Sequence, residues 1–202
     1  MFLKKTEFKK LIKDTYKTVG LTVGAILAPE DKKMYEFMGS YWKLFVLDEF
    51  FPKEAKAAVI ELCGELPEIG ECFTARNKEP LQYEIDLMTY EDIIDLVKKA
   101  GIEYKVTHIV EEGISANTRF LQESKGTLIG INNRFIDAID VTQIETEKGE
   151  TMPDGPVTIS HESLCVFWHN NACVLQVYRR KPNEQKDEAV RMWDDLKNIF
   201  MY

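Results

Sequence analysis

The chain has 202 residues, 45% of them hydrophobic and 30% charged, with a formal net charge of −8. That composition supplies a sizeable core and excludes a disordered chain, and the acidity speaks against general binding to nucleic-acid backbones. No apolar run approaches the roughly 20 residues needed to span a bilayer, so no membrane contact is expected.

Thr6 is placed to cap a helix running to about Val19. Phe8, Leu11, Ile12, Thr15, Tyr16 and Val19 form its apolar stripe, and Gly20 stops it. Six lysines fall between Met1 and Gly20 against only Glu7 and Asp14, so a basic segment sits on a more acidic body. Its lysines are expected on the solvent side, and a variant reading docks this basic helix on an acidic surface, its own or a partner's. Leu21 to Leu27 reads as a strand. Met34 to Met38 and Tyr41 to Leu47 read as a hairpin around Gly39-Ser40. Tyr41 to Leu47 is apolar on both faces, as a central strand would be. Pro52 opens a second helix and Gly64 closes it, with Ala55, Ala58, Val59, Leu62 and Cys63 as the buried stripe. Tyr41-Trp42 and Phe50-Phe51 lie near these elements, and an aromatic-lined groove there would suit a peptide or ligand.

Glu71 to Ala75 and Leu81 to Leu87 read as strands around Asn77-Lys78-Glu79-Pro80. Thr89 caps a third helix that carries Ile93, Ile94, Leu96 and Val97 and ends at Gly101. Ile102 to Val110 is a strand, and Arg119 to Gln122 is ambiguous between strand and helix. Thr127 to Ile131 and Arg134 to Ile139 are predicted to pair through a turn at Asn132-Asn133. Glu145 to Pro156 reads as a surface loop. Ser163 to His169 and Ala172 to Arg179 are predicted to pair through Asn170-Asn171. Both Asn-Asn pairs suit two-residue type I′ turns, which need positive φ at both central positions. A last helix carries Val190, Trp193, Leu196 and Phe200. There is no strict βαβ alternation. The expectation is an α+β fold with a largely antiparallel sheet, at least two hairpins in the C-terminal half and about four helices mostly on one face. The chain is read as one domain over 1–202, with an N-terminal lobe 1–100 and a hairpin-rich lobe 101–202 as an internal division.

Motifs for metal, phosphate or nucleophile chemistry are missing from the sequence: no Cys-x-x-Cys, His-x-x-x-His, Walker loop or Gly-x-Ser-x-Gly. No metal and no cofactor are expected. Cys63, Cys72, Cys165 and Cys173 read as reduced thiols of a cytoplasmic protein. On a two-residue loop His169 faces Ala172 and Cys165 faces Gln176, which places Cys165 and Cys173 on opposite sides of the sheet. His161, Cys165 and His169 share a face, but four residues of strand span about 13 Å. A Cys/His dyad within that strand is therefore excluded.

The expected function is a non-enzymatic cytoplasmic binding or regulatory protein acting through protein–protein contact. Self-association through an edge strand is a further mode. Its candidate binding residues are the two polar tips, Asn132-Asn133-Arg134 and His169-Asn170-Asn171, which would form one surface if the hairpins lie side by side. One alternative is a small hydrolase or transferase whose site is assembled from distant segments, with His108, His161 and Cys165 as its candidate catalytic residues. That alternative requires two of them within about 4 Å of each other or of a carboxylate in a cleft. Another is an acidic mimic of nucleic acid, motivated by the acidic body.

Overall fold

In a computed structural model, residues 1–84, 87–113, 116–124, 126–180 and 193–196 are described. Eleven strands form one antiparallel sheet, in the order β5-β4-β1-β2-β3-β11-β10-β9-β6-β7-β8. The first half contributes β1 (Leu21–Ala28), β2 (Lys32–Gly39), β3 (Trp42–Leu47), β4 (Cys72–Ala75) and β5 (Gln82–Glu84). The second half contributes β6 (Ile102–Glu111), β7 (Thr118–Glu123), β8 (Leu128–Asn132), β9 (Asp154–Thr158), β10 (Cys165–His169) and β11 (Cys173–Tyr178). The two halves join at the middle of the sheet, where β3 pairs with β11 from Trp42 opposite Val177 to Val46 opposite Cys173. β3 is thus central, and its two-sided apolarity is used: Leu44 and Val46 pack in one core cluster and Phe45 in another.

Helices α1 (Lys5–Thr18), α2 (Lys53–Cys63) and α4 (Asn133–Ala138) share the larger core with Val23, Phe37, Leu44, Trp168 and Leu175. Helix α3 (Tyr90–Lys99) covers the opposite face, where Ile93 meets Ile26, Phe45, Phe167 and Val174. A fifth helical stretch, 193–196, lays Trp193 edge-on against Phe120 at 4.9 Å. Among the described residues the helix count is thus one above the four expected, and most lie on one face. Val190 and Phe200, placed on that last helix by the sequence, lie outside the described residues.

Local signals explain several boundaries. Gly64 takes φ +89° at the end of α2, a conformation that costs glycine little. Thr89 and Asp92 form a reciprocal capping box on α3, satisfying two N–H groups that the first turn leaves unpaired. Helix α1 differs from expectation. It starts one residue before Thr6 and has no side-chain cap. Its entry is held instead by tertiary bonds, with the Lys4 N–H donating to Ala138 O at 2.8 Å and Leu3 bridging Ile139.

Both Asn-Asn pairs depart from the predicted turn. Asn132 is the N-cap of α4, its side chain accepting the Arg134 N–H at 3.1 Å. The segment expected as a return strand is therefore a helix. The hairpin that does form here joins β7 to β8, with Gln122 opposite Leu128, and it settles the ambiguous Arg119 to Gln122 as strand. The second pair does lie in a hairpin, but His169 faces Val174, not Ala172. Neither Asn170 nor Asn171 has positive φ; the non-glycine pair that does is Glu30-Asp31, at +62° and +55°, between β1 and β2. Asn170 makes the turn by accepting the Ala172 N–H through its side chain at 3.0 Å, the local Asx geometry that competes with a I′ turn. The shift is by two residues in the pairing, so faces are preserved. Cys165 and Cys173 pack in different clusters, on opposite sides.

The stretch expected as a surface loop, Glu145 to Pro156, also differs. Its end enters the sheet as β9, between β10 and β6. Pro156 has no N–H to donate, and the β9–β10 ladder is irregular, with pairs only at Phe167–Val157 and His169–Asp154. Proline and glycine in that strand concealed it.

Candidate functional site

The end of β11 carries the site. After Tyr178 the chain continues past the end of β3, and the Arg180 N–H donates to Gly130 O on β8 at 2.7 Å. The last strand of the sheet order thus folds back against the continuation of β11. Where it does so, a cleft of about 490 Å³ opens between β11, the β2–β3 turn, the C-terminal part of α1 and the start of α4. That is within the usual size of ligand pockets. Tyr41, Trp42, Asn132, Arg134, Tyr178 and Arg180 are among its lining residues.

Trp42, Arg134 and Arg180 are each positioned by a polar contact. The Trp42 indole N–H donates to Thr15 Oγ1 at 3.2 Å, which fixes the ring against α1. Tyr41, its neighbour in the turn, is 71% exposed. Arg134 pairs with Asp14 of α1 at 3.1 Å, with both side chains partly open to water. Arg180 donates through Nη1 to Ala116 O at 2.6 Å; its other guanidinium donors have no protein partner among the described residues. Arg179, between Tyr178 and Arg180, also lines the cleft, but its guanidinium is engaged elsewhere. Its guanidinium donates to His161 O at 2.8 Å, Ser160 O at 3.2 Å and Thr158 Oγ1 at 3.3 Å, and lies over the Tyr104 ring. The cleft therefore presents two guanidinium groups beside exposed aromatic surface, on a protein whose net charge is −8.

Of the predicted binding residues, Asn132 and Arg134 line this cleft. Asn133 sits beside it, accepting from Arg119 Nε at 2.8 Å and donating to Asp137 at 2.7 Å. The other tip is elsewhere. Asn170 donates to Thr151 O at 2.7 Å, and Asn171 donates to Gly149 O at 2.8 Å. His169 is half-buried on β10. The turn that carries these residues precedes Cys173, and the contact of Arg180 with Gly130 lies seven residues further on, about 23 Å at strand rise. The two tips do not form one surface.

The candidate catalytic residues are also separated. His108 is exposed on β6. Cys165 is half-buried, with Gln176 Nε2 3.3 Å and the Ser163 hydroxyl 3.8 Å from its sulfur. Burial raises its thiol pKa, against the opposing pull of Ser163, Gln176 and Arg179, so it is not an activated nucleophile. His161 does find a carboxylate. Its Nδ1 lies 3.6 Å from Glu123 Oε2 in a shallow hollow of about 460 Å³ that Ser124 and Glu103 also line. Glu123 Oε2, Tyr104 OH and Arg179 Nε are buried there without a hydrogen-bond partner among the described residues. No group of three or more metal-ligating side chains that could hold an ion occurs among the described residues.

Of the aromatic residues expected to line a groove, Tyr41 is exposed, whereas Trp42 and Phe51 are core, Phe51 being ringed by Phe8, Tyr35 and Phe37. The basic helix docks in part on its own molecule, through Lys5 to Glu54 at 3.5 Å and Lys4 to Asp137 O at 2.6 Å. Arg180, Tyr178 and Glu123 were not singled out from the sequence. Two adjacent arginines ending a strand in an acidic chain are a signal, but nothing local ties them to Arg134. Comparison with protein-family models, with curated proteins and with solved structures returns no match. No described helix is long and apolar enough to cross a membrane.

Proposed function

We propose that this is a non-enzymatic cytoplasmic binding protein that acts by contact with a partner protein through the arginine cleft. One observation carries the reading: Arg134 and Arg180, distant in sequence, line one cleft with Tyr41, Trp42 and Tyr178. Arginine and large aromatic residues are the types that dominate binding energy at protein interfaces. The local positive charge on an acidic body favours an acidic partner surface and rejects a basic one. Size-exclusion with light scattering, combined with affinity capture from the source cells, tests it. Wild type is expected to form a stoichiometric complex. A strict monomer that captures nothing overturns the reading.

A second reading is favoured by the His161–Glu123 distance. A buried carboxylate close to an imidazole is the start of a general-base pair; this one lies 3.6 Å away without a hydrogen bond and opens to solvent beside Ser124. It requires turnover of ester or phosphoester substrates that is lost in both His161→Gln and Glu123→Gln. Absence of turnover by wild type across such a panel removes it.

A further inference from the structure

We infer that the cleft recognises carboxylates of an acidic, aromatic-bearing segment of the partner, and that Asp14 is a built-in stand-in for one of them. This rests on the binding reading above and names the chemistry of that site. Arg134 already shows which group it takes, since the Asp14 carboxylate lies 3.1 Å from its Nη2. The pair is exchangeable. Asp14 is 60% exposed and Arg134 38%, and pairs this open to water are held weakly. An incoming carboxylate therefore replaces Asp14 at little cost and gains Arg180 as a second anchor, whose planar fork of donors suits a carboxylate. Tyr41, exposed at the rim, and Tyr178, half-buried beside it, supply the flat apolar surface for an aromatic neighbour of the acid. Asp14 belongs to α1 and Arg134 to α4, so the stand-in also ties these two helices together until the partner arrives.

The test uses the full chain and a fluorescein-labelled ten-residue peptide of alternating glutamate and tryptophan, read by anisotropy at low salt. A glutamine-for-glutamate peptide serves as control. Wild type is expected to bind the acidic peptide and not the control. Arg134→Gln and Arg180→Gln are each expected to weaken binding about tenfold, the scale of one charge-assisted contact. Asp14→Asn is expected to tighten binding about two- to fivefold, because it removes the competitor. A merely structural role for Asp14 would weaken binding or leave it unchanged, and either result overturns the stand-in. Peptide affinity indifferent to both arginine substitutions, or no peptide binding, overturns the carboxylate cleft. Tighter binding of adenosine monophosphate or inorganic phosphate than of peptide assigns the cleft to a small anion and also overturns it. A partner complex that survives the Arg134→Gln and Arg180→Gln changes sinks this inference and the assignment of the contact to the cleft, while a binding protein remains. A chain that forms no complex and binds no probe sinks the binding reading as well.

Discussion

The Met1 amino group and Glu150 form an ion pair of 2.5 Å with side chains 0% and 1% exposed. The other Glu150 oxygen accepts from Asn170 Nδ2 at 3.1 Å, and the ammonium also donates to Phe50 O at 3.2 Å. The pair therefore holds the start of the chain to the tip of the β10–β11 hairpin. Removing one member of such a pair leaves the other charge buried and unmatched, at a cost of about 3–5 kcal/mol. Glu150→Gln is expected to destabilise by that amount in urea unfolding, and a loss below about 1 kcal/mol would contradict the role given to the pair. The thiols supply a pH prediction. Burial pushes the Cys63 thiol up from 9.0 to about 11, and also raises Cys173 and the Tyr35 phenol, the latter with help from nearby Asp48. Between those pH values the unfolded chain has shed the Cys63 proton and the folded chain keeps it. The folded state then binds more protons, so stability falls as pH rises through this window and is fully present below it. The urea midpoint should drop steadily above about pH 9, with a shallower drop in Cys63→Ala. A flat profile would count against it.

At the scale of elements, Asn132 distinguishes a helix cap from a hairpin turn. Its side chain accepts one N–H at the start of α4. Asn132→Ala is expected to cost about 1 kcal/mol, Asn132→Asp to be nearly neutral and Asn132→Gly to cost a few tenths. A turn requiring positive φ would instead be improved by glycine, so a stabilised Asn132→Gly would refute the cap. Gly130 decides how β8 is covered. A Cβ there would meet the Trp193 ring at 2.5 Å and Thr118 Cγ2 at 2.6 Å. Ring and strand are both stiff, so Gly130→Ala should lose about 1–3 kcal/mol, the usual cost of overpacking. Quenching of the Trp193 fluorescence contribution by iodide would rise with it; unchanged quenching and stability would refute the close approach.

Across the whole molecule, the central β3–β11 pairing makes one sheet of two sequence halves. Trp42 lies on the N-terminal side of that seam and Trp168 on the C-terminal side, both in the larger core cluster. A shared core predicts one cooperative transition. Denaturant curves of single-tryptophan variants that retain Trp42 or Trp168 should coincide. Two separated midpoints would show the N-terminal and C-terminal lobes unfolding independently. The acidity of the chain acts at this scale too, since the proposed binding in the arginine cleft would depend on a local charge opposite to the global one and is expected to weaken as salt screens it.

Periodicity was enough to read α1, α2, α3, most strands and the antiparallel α+β class, because a helix face or strand face repeats within a few residues. Chain-local chemistry was also enough for the Gly64 stop and the Thr89 cap. It failed where one local pattern serves two structures. Asn132 accepts an N–H equally well in a turn or at a helix start, and packing of Phe135 and Ala138 in the large core selected the helix. It failed again at β9, where Pro156 masks a strand whose neighbours come from elsewhere in the chain. Of the polar tip Asn132-Asn133-Arg134, Asn132 and Arg134 line the cleft and Asn133 does not. Arg180, Tyr41 and Tyr178 meet Asn132 and Arg134 only because β8 folds back onto the end of β11. Contacts between residues more than a hundred positions apart, such as Arg134 with Asp14, leave no trace in local spacing. Elements are local and were legible; the cleft is a product of sheet closure, and only the tertiary structure decides that.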